Sequence, residues 1–244
     1  EDRVRLENDL RQAVAAKQFH LVFQPLVSAK TQKLVGFEAL IRWNHPQRGF
    51  VPPNVFIPVA EETGMMVAIG EWVIDEACRA VATWPDPITL ALNISPKQIV
   101  LPSLPNVVSE ALSRWKVPGN RIELEVTEGI FLGDNGPTLD VMKRLRALGV
   151  GIALDDFGTG YSSIGYLNKA IFHKLKIDGS FVREAGSRPE NVAIIQSIVQ
   201  LAKSFRMSVT AEGVETAEDF ERMRELGCDI IQGYLFGRPL AYER

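Results

Sequence analysis

The chain has 244 residues, of which 46% are hydrophobic and 23% charged, and its formal net charge is −3 at pH 7. These values fit one large α/β barrel or two ordinary domains with a full apolar core. The slight net negative charge argues against non-specific nucleic-acid binding. The sequence has no apolar run of about 18 residues, so it predicts no membrane span. The charged, helix-patterned start is not a signal peptide, so we expect a cytoplasmic segment cut from a longer polypeptide.

Cysteine and histidine give no sign of a metal site. The two cysteines, Cys78 and Cys228, lie in or beside amphipathic helical stretches, and we expect both to be small buried hydrophobic residues, as suits a reducing compartment. His20, His45 and His173 are scattered without ligand spacing. A zinc site is therefore not predicted.

Strand-like and helix-like segments alternate along the chain. Helical spacing of apolar residues, with Pro or Gly at the boundaries, predicts helices over 4–17, 53–62, 65–84, 104–115, 137–148, 191–205 and 217–226. A further short helix is predicted between residues 157 and 173. Short apolar or alternating runs predict strands over 20–27, 33–43, 88–95, 121–128, 151–157, 173–178, 207–214 and 229–236. This alternation predicts one parallel α/β barrel over residues 19–244, and residues 1–18 are interpreted as a lead-in helix from a preceding domain or linker.

Parity along each strand predicts which side chains point into the barrel. In the strand over 88–95 the large apolar residues occupy alternate positions and must face the helices, which leaves Asn93 inside. The same reasoning turns a polar residue inward near the carboxyl end of the other strands, where such barrels hold their active sites. These inward residues are Glu38, Asn93, Glu125, Asp155, Lys176 and Glu212.

The central stretch, Gly149–Ser163, ends a strand at two adjacent carboxylates, Asp155 and Asp156. Like charges held together in a low dielectric repel, so this pair calls for a cation. The structural alternative is that one of them caps the next helix, in competition with Ser162 and Ser163.

Each inward polar residue also has a structural alternative when it is taken alone. An inward Glu can pair with Lys, Asn93 can bond to backbone, and Lys176 can act as a counter-ion. Together the acids outnumber the nearby cations, and buried charges need pairing or a metal. Oxygen ligands without Cys or His suit Mg²⁺ or Mn²⁺, and this many carboxylates favours two ions, the arrangement that cleaves phosphate esters.

The tripeptide Glu38-Ala39-Leu40, followed by Arg42, resembles the signature of the EAL domain family of cyclic di-GMP phosphodiesterases. The resemblance extends from about Leu6 to Leu240. It includes Gln24-Pro25, Asn93-Ile94-Ser95, Glu125–Glu128, Asp155–Ser163, Lys176-Ile177-Asp178, Glu212–Glu215 and Gln232-Gly233-Tyr234. It implies a TIM-like (β/α)8 barrel whose first strand runs antiparallel.

The resemblance also implies a role for each site residue. The ligands of two Mg²⁺ or Mn²⁺ ions are expected to be Glu38, Asn93, Glu125, Asp155 and Asp156. The catalytic residues are expected to be Lys176, which holds the attacking water, Glu212, which orients water and metal, and Gln232, which supports the water network. The expected ligand contacts are Gln24, Leu40, Arg42 and Asp178. The expected anchors of the loop after Asp155 are Glu128 and Glu215.

The implied reaction is hydrolysis of cyclic di-GMP to linear 5′-pGpG by a water activated between two metals. The implied assembly is a homodimer, within a bacterial signalling protein that carries a GGDEF or sensory domain and is cytoplasmic or membrane-tethered. The alternatives are a binding-only cyclic di-GMP receptor and a metal-dependent barrel lyase or aldolase. One stretch departs from the family pattern: Ile171 and His173 stand where a Pro and an Asp are common, so we expect a different local turn.

Overall fold

The computed structural model describes residues 2–16, 18–131, 136–158, 164–167 and 171–241. The strands within these residues are β1 Phe19–Ser28, β2 Leu34–His45, β3 Gly49–Val51, β4 Thr89–Asn93, β5 Ile122–Thr127, β6 Gly151–Phe157, β7 Lys174–Ile177, β8 Ser208–Ala211, β9 Ile230–Gln232 and β10 Leu240–Ala241. The helices are α1 Asp2–Ala15, α2 Pro53–Glu62, α3 Met66–Val81, α4 Pro96–Ile99, α5 Leu104–Trp115, α6 Gly136–Ala147, α7 Ile164–Leu167, α8 Gly179–Glu184, α9 Pro189–Ser204 and α10 Ala217–Leu226. None of these helices is both long enough and apolar enough to cross a membrane.

Eight of the strands close into a barrel. From β2 through β4, β5, β6, β7, β8 to β9 every neighbouring pair is parallel. Strand β1 closes the ring and runs antiparallel to both β2 and β9, with Gln24 opposite Glu38. The two short strands β3 and β10 add antiparallel extensions to β2 and β1. The expected α/β barrel with a reversed first strand is confirmed.

The apolar core lies between the barrel wall and the surrounding helices. Among the outward-facing strand residues that parity assigned to this layer, Leu90, Leu124, Ile152 and Leu175 are at most 1% exposed. Helix α1 also belongs to this layer, since it packs against α2 and buries Leu10 completely. The predicted division of the chain at residue 18 stays a prediction. Both cysteines are buried as expected, and burial raises the pKa of each thiol to about 12.

Local signals explain where α10 begins and ends. The Thr216 hydroxyl accepts a hydrogen bond from the Asp219 N–H at 3.1 Å, and the Asp219 carboxylate accepts the Thr216 N–H at 3.3 Å. This reciprocal pair satisfies two donors that the first helical turn leaves open. The helix stops at Gly227, whose φ of +93° is a left-handed conformation that suits glycine.

The predicted strands are mostly longer than the observed ones. The strand predicted over 207–214 ends at Ala211, because the chain turns at Gly213, where φ is +67°. The strand predicted over 229–236 is observed only as β9. Four short elements, β3, β10, α4 and α8, were not predicted, since two to six residues carry too little periodicity to detect.

A layer of paired charges lies inside the barrel below the carboxyl ends of the strands. The Lys174 ammonium donates to the Glu123 carboxylate at 2.8 Å, and His173 Nε2 lies 2.7 Å from the same group. Burial would raise the pKa of Glu123, but the His173 hydrogen bond and the Lys174 charge lower it to about 2. A Cβ at Gly151 would stand 2.7 Å from the His173 ring, so only glycine leaves room for it. His173, one of the two departures from the family pattern, is therefore part of this layer of paired charges.

We expect Glu123→Gln to destabilise the fold by roughly 3–5 kcal/mol, because it leaves the Lys174 charge buried without its partner. Replacing both residues, Glu123→Leu with Lys174→Met, should cost much less than the single change. The measurement is urea unfolding of each variant. The control is Arg224→Ala, which breaks an exposed pair with Glu221 and should stay within about 0.5 kcal/mol of wild type. A Glu123→Gln variant as stable as this control would contradict the prediction.

Candidate metal and substrate site

The centre of the site is Lys176, which projects from β7 into the barrel and is 1% exposed. Its Nζ atom lies 2.6 Å from Glu125 Oε2, 2.6 Å from Glu212 Oε1 and 3.3 Å from Asp155 Oδ1. Glu38 Oε2 is 3.9 Å away. Four carboxylates from β2, β5, β6 and the end of β8 therefore surround one ammonium group, as the parity of the strands predicted.

Amide side chains hold one of these carboxylates in place. Asn93 Nδ2 donates to Glu38 Oε1 at 2.6 Å, and Gln232 Nε2 donates to Glu38 Oε2 at 2.5 Å. Gln232 Nε2 also donates to Gln24 Oε1 at 3.1 Å. The reversed direction of β1 brings Gln24 beside Gln232 of β9, so both amides reach the same side of the site.

The backbone at the end of β6 aims two carboxylates at the same space. Asp156 has a φ of +54°, a left-handed conformation that is uncommon outside glycine, and its N–H donates to Asp155 Oδ1 at 3.0 Å. One oxygen from each of Asp155, Asp156 and Glu212 lies within 4.8 Å of the others. The next residue but one, Gly158, also has a positive φ, of +96°. The predicted glycine loop and the possible caps at 159–163 lie outside the described residues.

Burial and mutual repulsion dominate the electrostatics of the acids. Burial raises the pKa of Glu125 well above its ordinary value despite the Lys176 charge, and it raises the pKa of Glu212 to about 8. The pKa of Asp156 rises to about 6, through burial and then the charge of Asp155. Burial would lower the pKa of Lys176, but its acidic neighbours raise it well above the ordinary value. One ammonium does not balance this cluster.

The donor set fits hard divalent cations. Glu125 Oε1 is buried and has no hydrogen-bond partner among the residues that the structure describes. An unpaired buried carboxylate oxygen is costly unless a cation binds it. The surrounding atoms are carboxylate and amide oxygens, which Mg²⁺ and Mn²⁺ prefer.

Two cavities adjoin the acidic cluster. A polar cavity of about 270 Å³ is lined by Glu38, Asp155, Glu212 and Gln232 with other residues of the β8 and β9 ends. A second cavity of about 320 Å³ has mainly apolar walls from β2, α2 and α3. Its lining includes Leu40, Arg42, Asn93, Pro53 and Ser95. The cluster therefore lies between two recesses of different chemical character.

The remaining predicted site residues lie around this centre. The Asp178 carboxylate caps α8 by accepting the Ser180 N–H at 3.0 Å, and its predicted ligand contact stays a prediction. Glu128 Oε1 accepts the Gly158 N–H at 3.0 Å, at the start of the loop that it was predicted to anchor. Glu215 lines the polar cavity, and its predicted loop role stays a prediction.

Sequence reasoning gave no site role to Arg183, Tyr234 or Ser95, which line the cavities. Arg183 lies on the unpredicted helix α8, and Tyr234 follows β9 in a segment that was predicted to continue as strand. The available signals were the short spacing of Arg183 from Lys176 and of Tyr234 from Gln232.

The fold and the site define a class of protein: an α/β barrel with an acidic cluster, a candidate metal site, at the carboxyl ends of its strands. The EAL domain model matches residues 7–239, and the chain belongs to the EAL domain family.

Named relatives cover nearly all of this chain. It is 42% identical over 248 residues to the bifunctional diguanylate cyclase/cyclic di-GMP phosphodiesterase MucR of Pseudomonas aeruginosa, matching 100% of this chain and 36% of MucR. It is 36% identical to the cyclic di-GMP phosphodiesterase NbdA of the same species, over 97% of this chain and 31% of NbdA. The chain therefore spans about a third of these curated relatives. The solved phosphodiesterase PaMucR in complex with c-di-GMP superposes with a TM-score of 0.92 at 42% identity, covering 97% of this chain and 98% of that one.

We expect Glu128→Ala to weaken Mg²⁺ or Mn²⁺ binding by roughly 10- to 100-fold, the usual effect of losing a residue that orients metal ligands. The reason is that Glu128 holds the backbone just after Asp156. In the homodimer that the family resemblance implies, dimerisation should weaken in parallel, which light scattering beside calorimetric metal titration would measure. Glu128→Gln keeps an acceptor oxygen and is the matched control. Wild-type metal affinity and wild-type mass for Glu128→Ala would contradict the link.

Proposed function

We propose that this chain hydrolyses cyclic di-GMP to linear 5′-pGpG in a reaction that depends on two Mg²⁺ or Mn²⁺ ions. The observation that carries the proposal is the cluster of four carboxylates around Lys176, with Glu125 Oε1 buried and unpaired among the described residues. Its support is membership of the EAL domain family and close similarity to two relatives named as cyclic di-GMP phosphodiesterases.

Five residues are proposed to hold the metals: Glu38, Asn93, Glu125, Asp155 and Asp156. Two divalent ions, when bound, supply positive charge to the phosphate oxygens and lower the pKa of water. The need for them follows from the charges of the chain, because a dianionic nucleotide would be repelled by this many uncompensated carboxylates. Asn93 would offer its amide oxygen, which requires the amide group to turn from its present donation to Glu38.

The chain's own groups are proposed to position the reaction. A water oxygen attacks phosphorus, the bond from phosphorus to the ribose O3′ breaks, and a proton passes to O3′. Lys176, a donor without acceptor capacity, holds the attacking water rather than a metal. Glu212 lies 2.6 Å from Lys176 Nζ, so its carboxylate can orient the same water. Gln232, held between Glu38 and Gln24, supports this arrangement.

The second cavity is proposed to receive one guanylate half of the substrate. Its apolar walls suit a flat base, and Arg42 supplies a cation for a phosphate at the edge. Leu40 of the EAL tripeptide forms part of the wall. The polar cavity on the other side of the cluster is then available for the second half.

We further propose that the chain acts as a homodimer within a longer cytoplasmic or membrane-tethered signalling protein. The support for additional domains is that the chain spans about a third of its curated relatives, one of which is named bifunctional. The support for a dimer is the contact of Glu128 with the loop after Asp156, which in this family is expected to join the metal site to the interface.

The decisive assay incubates the purified chain with cyclic di-GMP and Mg²⁺ and follows pGpG by chromatography. Formation of pGpG supports the proposed hydrolase. Tight binding without turnover would instead make the chain a receptor, and absence of both would favour a barrel enzyme that acts on another anion.

We expect excess chelator to abolish turnover and added Mg²⁺ or Mn²⁺ to restore it, because carboxylates without Cys or His select such ions. Ca²⁺ is the matched control. Its looser coordination should allow cyclic di-GMP to bind while supporting little hydrolysis. The measurements are initial rates of pGpG formation and nucleotide binding by calorimetry. Full activity in chelator would overturn the metal mechanism, and equal rates with Ca²⁺ would contradict the control.

We expect Lys176→Met to lower kcat by roughly 100-fold or more, as for loss of a positioned catalytic group. Cyclic di-GMP affinity in Ca²⁺ should change less than about tenfold, or ~1.4 kcal/mol. The matched control is Lys174→Met, which also removes a buried lysine bonded to a glutamate but lies below the site. The folded Lys174→Met protein should have the same kcat as wild type. Loss of binding in step with turnover for Lys176→Met would instead favour a counter-ion role.

A further inference from the structure

Arg183 is a cation at the rim of the polar cavity that the proposed reaction does not use. It lines this cavity together with Glu38, Asp155 and Glu212. Its side chain makes no hydrogen bond or ion pair with any residue in the described part of the chain, although several carboxylates lie in the same cavity. An arginine with five donors and no partner at the edge of a substrate cavity is available to a ligand.

Two glycines leave the space that the guanidinium occupies. A Cβ at Gly179 would stand 2.7 Å from Arg183 Nη1, and a Cβ at Gly213 would stand 2.7 Å from the same atom. Gly179 is the first residue of α8 and Gly213 follows Glu212. The guanidinium therefore lies beside two segments that follow strand ends of the barrel. Any larger residue at either position would displace the guanidinium from its place at the rim.

The neighbouring residues complete a surface suited to a nucleobase. Tyr234 lines the same cavity, is 49% exposed, and carries the Arg238 guanidinium 4.2 Å from its ring centroid. A partly exposed aromatic ring is a stacking surface for a base. Glu215 also lines this cavity, and its carboxylate has no partner among the described residues. Tyr234, Arg183 and Glu215 thus offer an aromatic ring, a pair of donors and an acceptor, respectively.

We propose that Arg183 recognises the guanine of the second guanylate half by donating to its O6 and N7 atoms. This inference rests on the proposed function. A paired donation from arginine to O6 and N7 is the commonest specific contact to guanine, and adenine carries an amino donor in place of O6. A carboxylate such as Glu215 complements the N1–H and N2–H₂ donors of the same base. Arg183 is therefore a specificity-determining residue for guanine over adenine.

The alternative partner for Arg183 is a phosphate of the substrate, which also accepts hydrogen bonds. The phosphate that reacts belongs at the carboxylate cluster, where the metals are proposed to bind. The surroundings of Arg183, an exposed aromatic ring and a carboxylate, favour a base, because a carboxylate would repel a phosphate. Cyclic di-AMP separates the two readings, since it has the same phosphates and sugars and differs only in its bases.

The experiment measures the KM of cyclic di-GMP and the inhibition constant of cyclic di-AMP in the same Mn²⁺ assay. Arg183→Met should raise the KM for cyclic di-GMP about tenfold or more, as expected for loss of a paired guanine contact. The inhibition constant of cyclic di-AMP should stay within about twofold, and kcat within about threefold, because the lost contact is made equally before and during the reaction. The matched control is Arg188→Met, which removes an exposed arginine paired with Glu184 outside the cavity.

Gly179→Ala is the second variant, because it keeps the arginine and moves it. The added Cβ forces Arg183 Nη1 away, so discrimination between the two nucleotides should fall as it does in Arg183→Met. Thermal melting of each variant checks that the fold is intact.

The outcomes separate this inference from the proposed function. Equal weakening of both nucleotides by Arg183→Met would place the arginine on a phosphate and overturn guanine recognition, as would unchanged constants. If Gly179→Ala discriminates between cyclic di-GMP and cyclic di-AMP as well as wild type does, the proposed role of Gly179 in placing Arg183 is overturned. A wild-type chain that neither binds nor hydrolyses cyclic di-GMP would overturn the proposed function itself, and the inference with it.

Discussion

The interaction on which the site depends is the contact of one buried ammonium with four carboxylates. Lys176 holds together acids from strands that are far apart in sequence, and without a cation at this point these carboxylates would repel one another or take up protons. The Lys176 charge compensates these carboxylates only in part, since the pKa values of Glu125 and Glu212 stay raised. The lysine preserves the arrangement of the acids and leaves a charge deficit that divalent cations can fill.

The charged layer below the site shows that this deficit is particular to the upper layer. Glu123 and Lys174 lie on the same strands as Glu125 and Lys176, two residues earlier, and they form a closed pair with His173. Both pairs reach across β6, where Gly151 and Ala153 stand in register with the two glutamates. Small residues on the middle strand let long side chains from β5 and β7 meet. The same geometry therefore gives a satisfied structural layer and, one step higher, an unsatisfied reactive layer.

Much of this arrangement follows from the sequence because the barrel imposes a simple rule. Alternation along a strand assigned Glu38, Glu125, Asp155 and Lys176 to the interior, and closure of the barrel then required them to converge. The residues that could not be predicted lie on short or irregular segments. Arg183 occupies a six-residue helix, and its place depends on backbone contacts between Gly179 and Gly213, which are far apart in the chain. No periodic pattern encodes such a contact. The reversal of β1 likewise came from family resemblance, since strand patterns carry no direction.

The direction of β1 also decides where the chain enters the barrel. Because β1 is antiparallel to β2, its first residue, Phe19, pairs with Trp43 near the carboxyl end of β2. In a barrel with all strands parallel, the first strand would begin at the opposite end. Here α1 leads into the end of the barrel that carries the acidic cluster and packs on α2, whose Ile57 and Glu61 line the apolar cavity. A single helix, α2, therefore separates α1 from the apolar cavity, so α1 adjoins the wall of this cavity from outside the barrel.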